Sequence, residues 1–413
     1  MTDSKKIPGR PEYGIFKFIA ALLVAGLVFT SGPAMADSMI GALHLGVPVN
    51  YGDARSRGMG GVSAAVTGED FSFTNPARTV NFWRSGFNGV VSQDYTTLKT
   101  PGGESSIRST DFIAFRGVFP TYKGFVVSWG IYQWRDLSWE YSDRVRVDIL
   151  QNELARSFTS SGGLYVTRLG IARTVNKHLA LGIGLDWLIG RVNRNRSLDF
   201  EDTSYLNSKE QFNSRYAFFR PTFGLLAAYK KVQLGISATL PRTASVDYYN
   251  AYISGYTDKQ TQALKYPFCW RMGISYRLTR RAVIGADMEF ENWKDAEYFS
   301  DPLIEITTQK RFCLGFELMP SAEENPSFYR KIPFRVGYSF ARYPFKIDGY
   351  DYSERLFSVG TGRYFGRNNG LVDLALEFCR RKTDAPGYPE EGIFRVIVSL
   401  SAFERWIGRP QRK

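Results

Sequence analysis

The sequence predicts an all-β protein, a 14-stranded antiparallel transmembrane β-barrel. Three observations lead there: a secretory leader, fourteen later segments in which apolar and polar residues alternate with period two, and connections that alternate short and long. Composition removes the competitors. With a mean hydropathy of −0.25 and no apolar run of 18 residues beyond the N-terminus, the chain is not a helical multi-span protein. Its 44% apolar content is too high for a disordered chain. Two histidines and three scattered cysteines (Cys269, Cys313, Cys379) leave little for metal or nucleophile chemistry. No enzyme, catalytic residue, metal or cofactor is therefore expected. The formal charge of +13 could suggest nucleic acid, but the basic residues are dispersed without a Lys/Arg block in an exported chain. Nucleic acid is not an expected partner.

Residues 1–36 read as a signal peptide. Lys5, Lys6, Arg10 and Lys17 form a basic n-region, and Phe18 to Phe29 an apolar h-region too short to span a bilayer comfortably. Ala34-Met35-Ala36 supplies a small-x-small cleavage pattern. Removing the leader takes away four basic and two acidic residues, so the mature charge is +11. Residues 37–81 do not alternate; they are rich in Gly, Ala and turn residues and form a segment of their own before the barrel.

The alternating region runs over 82–406, with a tail at 407–413. Its segments are 82–96, 108–119, 123–134, 163–174, 178–192, 215–229, 231–240, 266–278, 281–291, 309–319, 332–342, 354–364, 370–380 and 391–404. In 178–192, Leu179, Leu181, Ile183, Leu185, Trp187 and Ile189 alternate with Ala180, Gly182, Gly184, Asp186 and Gly190. In 231–240, Val232, Leu234, Ile236, Ala238 and Leu240 alternate with Gln233, Gly235, Ser237 and Thr239. A soluble sandwich also alternates. Here, however, the apolar face is continuous and aromatic-rich, while the other is small, glycine-rich and charged, as expected for lipid outside and lumen inside. Short links (120–122, 175–177, 230, 279–280, 365–369) alternate with long polar ones (135–162, 193–214, 241–265, 292–308); 320–331 is the longer exception. Tight periplasmic turns and long outer loops have this signature, and an even strand number puts both termini in the periplasm.

If the apolar face meets lipid, the opposite face lines the lumen. Arg116, Arg168, Asp186, Arg220, Arg271, Asp287, Glu289, Arg311, Glu317, Arg335, Asp373, Glu377 and Arg395 are placed inside, with Asn88, Ser92, Asp94, Gln233 and Arg277. Strands eight and nine share a tight turn, so Arg271 should lie near Glu289 or Asp287. Such charges brace the wall or contact a permeant; an Arg on the lipid face near midplane costs about 2–4 kcal/mol. Mixed carboxylates also raise a glycosidase, but no supporting His, Ser or metal constellation accompanies them. Pro221 interrupts a regular strand and marks either a bulge or a local wall opening. Aromatics in three long links (Trp134, Trp139, Tyr141; Tyr248, Tyr249, Tyr252, Tyr256; Trp293, Tyr298, Phe299) read as an interfacial girdle or, in part, an outer capture groove.

The segment before the barrel carries a more specific signal. Asp53 to Val66 (DARSRGMGGVSAAV), followed by Asp70 and Asn75-Pro76-Ala77, resembles the GARxxGMGGAxxAVxxD…xNPA segment of FadL-like outer-membrane proteins, the long-chain fatty-acid and hydrocarbon transporter superfamily; PorV-type barrels of type IX secretion share it. The resemblance implies that residues 37–81 fold as a hatch inside a fourteen-stranded barrel, with Gly58, Gly60, Gly61, Asn75, Pro76 and Ala77 as its motif. Glycine permits the torsions and close approaches such a plug needs, and Asn75 before proline is biased to extended backbone. A phosphate-loop reading fails for want of a Gly-Lys-Ser/Thr sequence. Gly392 to Trp406 is similar to the last strand of such barrels, except that seven residues follow Trp406.

The expected function is passive uptake of hydrophobic small molecules, fatty acids or hydrocarbons, through an outer-membrane channel gated by the hatch. Outer-membrane lipid and a hydrophobic ligand are the expected partners. The alternative is a PorV-like anchor of a secretion system, with secreted proteins as partners. A mixed-charge lumen speaks against a fatty-acid specialist.

Overall fold

A computed structural model describes residues 46–100, 103–147, 152–200, 207–252, 257–295, 304–321, 327–366 and 368–404. The leader, His44, Tyr256, Tyr298, Phe299, Trp406 and the tail lie outside the described residues. All described residues belong to one compact unit, 34–413.

The wall is a single closed antiparallel sheet of fourteen strands among the described residues. In chain order they are β1 (Ser85–Thr100), β2 (Gly103–Pro120), β3 (Phe125–Asp136, continuing as Trp139–Val147) and β4 (Asn152–Asn176). Next come β5 (Leu179–Phe200), β6 (Ser208–Tyr229), β7 (Val232–Thr239, then Arg242–Tyr252), β8 (Thr257–Tyr266, then Cys269–Arg277) and β9 (Ala282–Asn292). The circuit ends with β10 (Ile304–Ile306, then Thr308–Leu318), β11 (Phe334–Ile347), β12 (Tyr350–Phe365), β13 (Gly370–Thr383) and β14 (Glu390–Glu404). β14 closes on β1 from Glu404↔Ser85 to Glu390↔Lys99 without a break. Closure leaves no sheet edge in hydrocarbon, where an unpaired N–H or C=O has no water to turn to.

All fourteen predicted segments fall on these strands, but the strands run further. Links 135–162, 193–214 and 241–265 are not loops. Trp139–Val147 pairs with Asn152–Ser160, β5 and β6 stay in register to Leu198↔Ser208, and Arg242–Ala251 pairs with Thr257–Tyr266. These stretches lack the continuous apolar outer face of the membrane-embedded parts, which removes the periodicity, although Ala244, Val246 and Leu264 keep an apolar inner face on β7 and β8. Above the lipid the outer face meets water, so the alternation that lipid imposes has no cause there.

The parity is that of a membrane barrel. On β5, Leu181, Ile183, Leu185 and Trp187 are exposed on the outside while Ala180, Asp186 and Leu188 are buried within. On β13, Asp373, Ala375 and Glu377 are buried and Phe378 is exposed.

Candidate functional site: the hatch in the lumen

Residues 46–82 occupy the barrel interior. Val47–Pro48 adds to the inner side of β3, pairing with Asp136 and Arg135. The chain then turns into α1 (Ala54–Gly58), which Asp53 caps by accepting the Ser56 N–H at 2.9 Å through Oδ1 and the Phe71 N–H at 3.1 Å through Oδ2. Such a cap satisfies donors that the helix itself cannot. Gly60 and Gly61 follow with φ of +70° and +94°, torsions that a side chain rarely adopts. Asn75 is extended (φ −121°, ψ 112°), as its position before Pro76 predicts. Its Oδ1 accepts the Ala77 N–H at 3.0 Å, and its Nδ2 donates to the Leu225 carbonyl of β6 at 2.9 Å and the Ala64 carbonyl at 3.2 Å. Asn75 thereby caps the 3-10 turn Pro76–Asn81 and fastens it to the wall.

The glycine-rich inner face of the wall is explained by this plug. A Cβ at Gly235 would collide with the Ala64 carbonyl, one at Gly337 with the Gly60 nitrogen, and one at Gly224 with Asn75 Oδ1. Gly58 itself sits against Gly360 of β12. Small inward residues here accommodate hatch backbone rather than open water.

Charged rivets hold the two parts together. Arg55 makes a fork to Glu317 of β10 (Nε–Oε1 2.9 Å, Nη2–Oε2 2.7 Å), and Glu317 is shared with Arg335, which also reaches Asp373 at 2.7 Å. Arg57 makes a second fork to Glu377 of β13 (2.8 and 2.6 Å), which Arg395 also bonds at 3.0 Å while reaching Asp94 at 2.5 Å. Asp287 of β9 accepts the Ser63 and Ala64 N–H groups, each at 2.7 Å. Arg168 pairs with Asp186 (2.5 and 2.6 Å) and donates to the Phe73 carbonyl at 2.6 Å. Arg271 lies 2.5 Å from Glu289 and 3.1 Å from Ser63 Oγ. Arg116 donates to the Tyr51 carbonyl. Bidentate Arg–carboxylate pairs are directional as well as strong, and they satisfy charges that burial would otherwise penalise.

Two lumen residues stand apart. Among the described residues, Arg311 pairs with Glu354 (3.5 Å) and not with a hatch group. Arg220, 3% exposed, has no partner for Nε or Nη1 among the described residues and lies over the Trp134 ring at 4.9 Å. Arg277, by contrast, is exposed at the end of β8. Sequence reasoning missed the hatch arginines Arg55, Arg57 and Arg78, the last held by Asp70 at 2.9 Å. The signal was available: arginines at alternate positions in a glycine-flanked segment, facing a wall rich in carboxylates.

The link aromatics are corrected too. Trp134 and Trp293 are buried in the interior, stacked at 6.0 Å, with Tyr266 6.2 Å from each. They belong to an internal aromatic cluster, not to a girdle. Among the described residues, cavities of about 40 Å³ lie between hatch and wall, one lined by Tyr51, Tyr132, Trp134, Arg168, Arg220 and Arg271, another by Arg57, Asp94, Arg381 and Arg395 among others. Each has the volume of only a few water molecules.

At Pro221 the wall is asymmetric. Pairing with β5 runs straight through it (Arg220↔Asp186, Pro221↔Leu185, Thr222↔Gly184). Toward β7, pairing stops at Thr222↔Thr239, with Leu240 N–H still bonded to the Pro221 carbonyl at 3.1 Å, and resumes at Arg215↔Asp247. Pro241 and Pro267 interrupt β7 and β8 at the same level, since Thr239 pairs with Cys269 below them and Arg242 with Tyr266 above. Three neighbouring strands thus share a crease where prolines cannot donate.

Several solved structures share this architecture. The chain is similar to a Pseudomonas aeruginosa FadL homologue (TM-score 0.61, 12% identity, 88% of this chain and 100% of that one). It is also similar to the toluene transporter TodX of P. putida (0.57, 12%, 86% and 99%) and to the monoaromatic hydrocarbon channel CymD (0.53, 15%, 87% and 98%). Those identities establish a shared fold. No protein of curated function matches in sequence. Residues 17–412 match the BamG family.

Proposed function

We propose that this chain, which belongs to the BamG family, is an outer-membrane channel for passive entry of hydrophobic small molecules, with the N-terminal segment as its gate. The observation that carries this reading is a plugged fourteen-stranded barrel of the same fold as TodX and CymD, whose names specify toluene and monoaromatic hydrocarbon. The lumen bears on how it would work. Cavities of about 40 Å³ admit no such molecule, so passage requires the hatch to shift. The buried aromatic cluster of Trp134, Phe218, Tyr266 and Trp293 offers the apolar surface a permeant would meet next. The crease at Pro221, Pro241 and Pro267 lies beside that cluster, since Tyr266 precedes Pro267 and Phe218 packs against Tyr266 with tilted rings 4.3 Å apart. It is the place where the wall would yield sideways. Both termini face the periplasm in this reading, as the tight turns do.

The test is uptake of labelled toluene and labelled fatty acid in a deletion strain and its complemented partner. Loss on deletion and recovery on complementation are expected, with toluene more affected than fatty acid. Uptake unchanged by deletion would overturn the reading.

A further inference from the structure

Basic charge is in excess along the chain, and the lumen does not explain it, because arginines there pair mostly with carboxylates. The connections between strands are sorted by sign. The tight connections 121–124, 177–178, 230–231, 278–281 and 366–369 contain seven Lys or Arg, among them Lys123, Lys177, Lys230, Lys231, Arg280 and Arg281, and no Asp or Glu. A sixth, 319–333, is balanced, with Arg330 and Lys331 against Glu323 and Glu324. At the opposite end, connections 101–102, 148–151, 201–207, 253–256, 293–303, 348–349 and 384–389 contain eight Asp or Glu and a single cation, Lys294. Residues scattered along the sequence therefore meet in a ring at one end of the barrel.

The ring is interleaved with outward aromatics. Lys123 Nζ lies 5.6 Å from the ring of Tyr122, Lys230 Nζ 5.2 Å from that of Tyr229, and the Arg173 guanidinium 4.7 Å from that of Phe125. Tyr122 and Tyr229 are 75% and 62% exposed. Arg173 and Arg363 follow the lipid-facing parity of their strands, which is tolerable only at headgroup level. Tyrosine beside a long cationic side chain suits the membrane boundary, where the ring sits among headgroups and the cation reaches phosphate.

We propose that this rim is a collar for anionic phospholipid headgroups of the leaflet it meets. A soluble acidic partner fits less well. Within the ring, the described residues of the end face include the carboxylate of Glu404 and the already paired Glu69 and Arg84. The collar acts whether or not anything passes the hatch, so its test reads lipid and not transport.

Full-length protein in detergent is offered equal amounts of phosphatidylglycerol and phosphatidylcholine, and retained lipid is counted by native mass spectrometry. Retention of phosphatidylglycerol should exceed that of phosphatidylcholine by about tenfold or more and weaken steeply with added salt. The quadruple variant K123Q/K177Q/K230Q/K231Q should fall to near parity while still migrating faster unheated than boiled in a gel. The double variant K230Q/K231Q, should the quadruple not fold, should lose part of the preference. Equal retention of the two lipids by the unaltered protein, or a preference undiminished in the folded variants, overturns the proposal. So does indifference to phosphatidylglycerol together with capture of a polyglutamate peptide, which would assign the rim to an acidic protein.

Discussion

Removing one hatch rivet should loosen the hatch without opening the barrel. Arg57 is 1% exposed and holds Glu377 through two charge-assisted bonds of 2.8 and 2.6 Å. In R57M the volume is roughly kept, both bonds are lost, and Glu377 retains only Arg395 at 3.0 Å. Breaking a buried pair from one side costs about 3–5 kcal/mol, and the surviving arginine places this case at about 3 kcal/mol. A loss of that size raises the population of the displaced hatch about a hundredfold. Only the hatch contributes Arg57, so the β-ladder is untouched. Trypsin cleavage after the buried Arg78, read by mass spectrometry, reports that population when reclosing outpaces cleavage. The expected result is cleavage faster by about two orders of magnitude in R57M, with R57K between the two. Heat-modifiable migration of the barrel should be unchanged. An unchanged cleavage rate in a folded R57M barrel would refute the idea that ion pairs hold the hatch.

Other tests bear on the same contacts. Burial, and then the neighbouring Asp70 carboxylate, push Asp53 up to about 6, against the Ser56 N–H and Arg116; Asp373 adds to the upward push. Its folded value lies above the unfolded one, so ionisation destabilises the seated hatch above pH 6 and the cost is relieved as pH falls towards 4. Asp70, which burial alone would raise, is held low by Arg78 and Arg55 and loses its contribution only below that window. Thermal midpoints should therefore rise from pH 7.5 to pH 5, and D53N should flatten the trend. Gly337→Ala should displace the hatch, because its Cβ meets the Gly60 nitrogen, at a cost of about 1–3 kcal/mol. Gly392→Ala, with nothing within 4 Å of the added carbon, should be silent; hatch cleavage distinguishes them. In urea unfolding, D186N should lose about 3–5 kcal/mol by stranding Arg168. R220M should lose nothing or gain about 1 kcal/mol, since it removes unmatched donors. An equal loss in R220M would show that Arg220 is partnered.

The sequence by itself determined the barrel. A strand whose two faces meet lipid and protein must alternate, and that rule is local enough to read from Leu179–Ile189 alone. The segments between Phe82 and Glu404 therefore came out in the right number. The rule also set the limit of what could be read. Where β5 and β6 rise past the lipid, both faces are wet, the rhythm vanishes, and long hairpins resemble loops. Trp134 ends a predicted segment and Trp293 falls in a polar link; each continues the inward parity of Tyr132 or Glu291, a signal that the neighbouring polar link obscured.

Tertiary structure alone decided what the inward residues face. Gly235 and Gly337 are small because hatch backbone presses on them, a contact between residues some 170 and 280 positions apart that no periodicity encodes. Arg55 finds Glu317, and Arg57 finds Glu377, only after the barrel closes around them. The same holds for charge. The lysines and arginines of the tight connections, far apart in sequence, become one ring because antiparallel strands return every second turn to the same end, and a closed sheet brings those turns side by side.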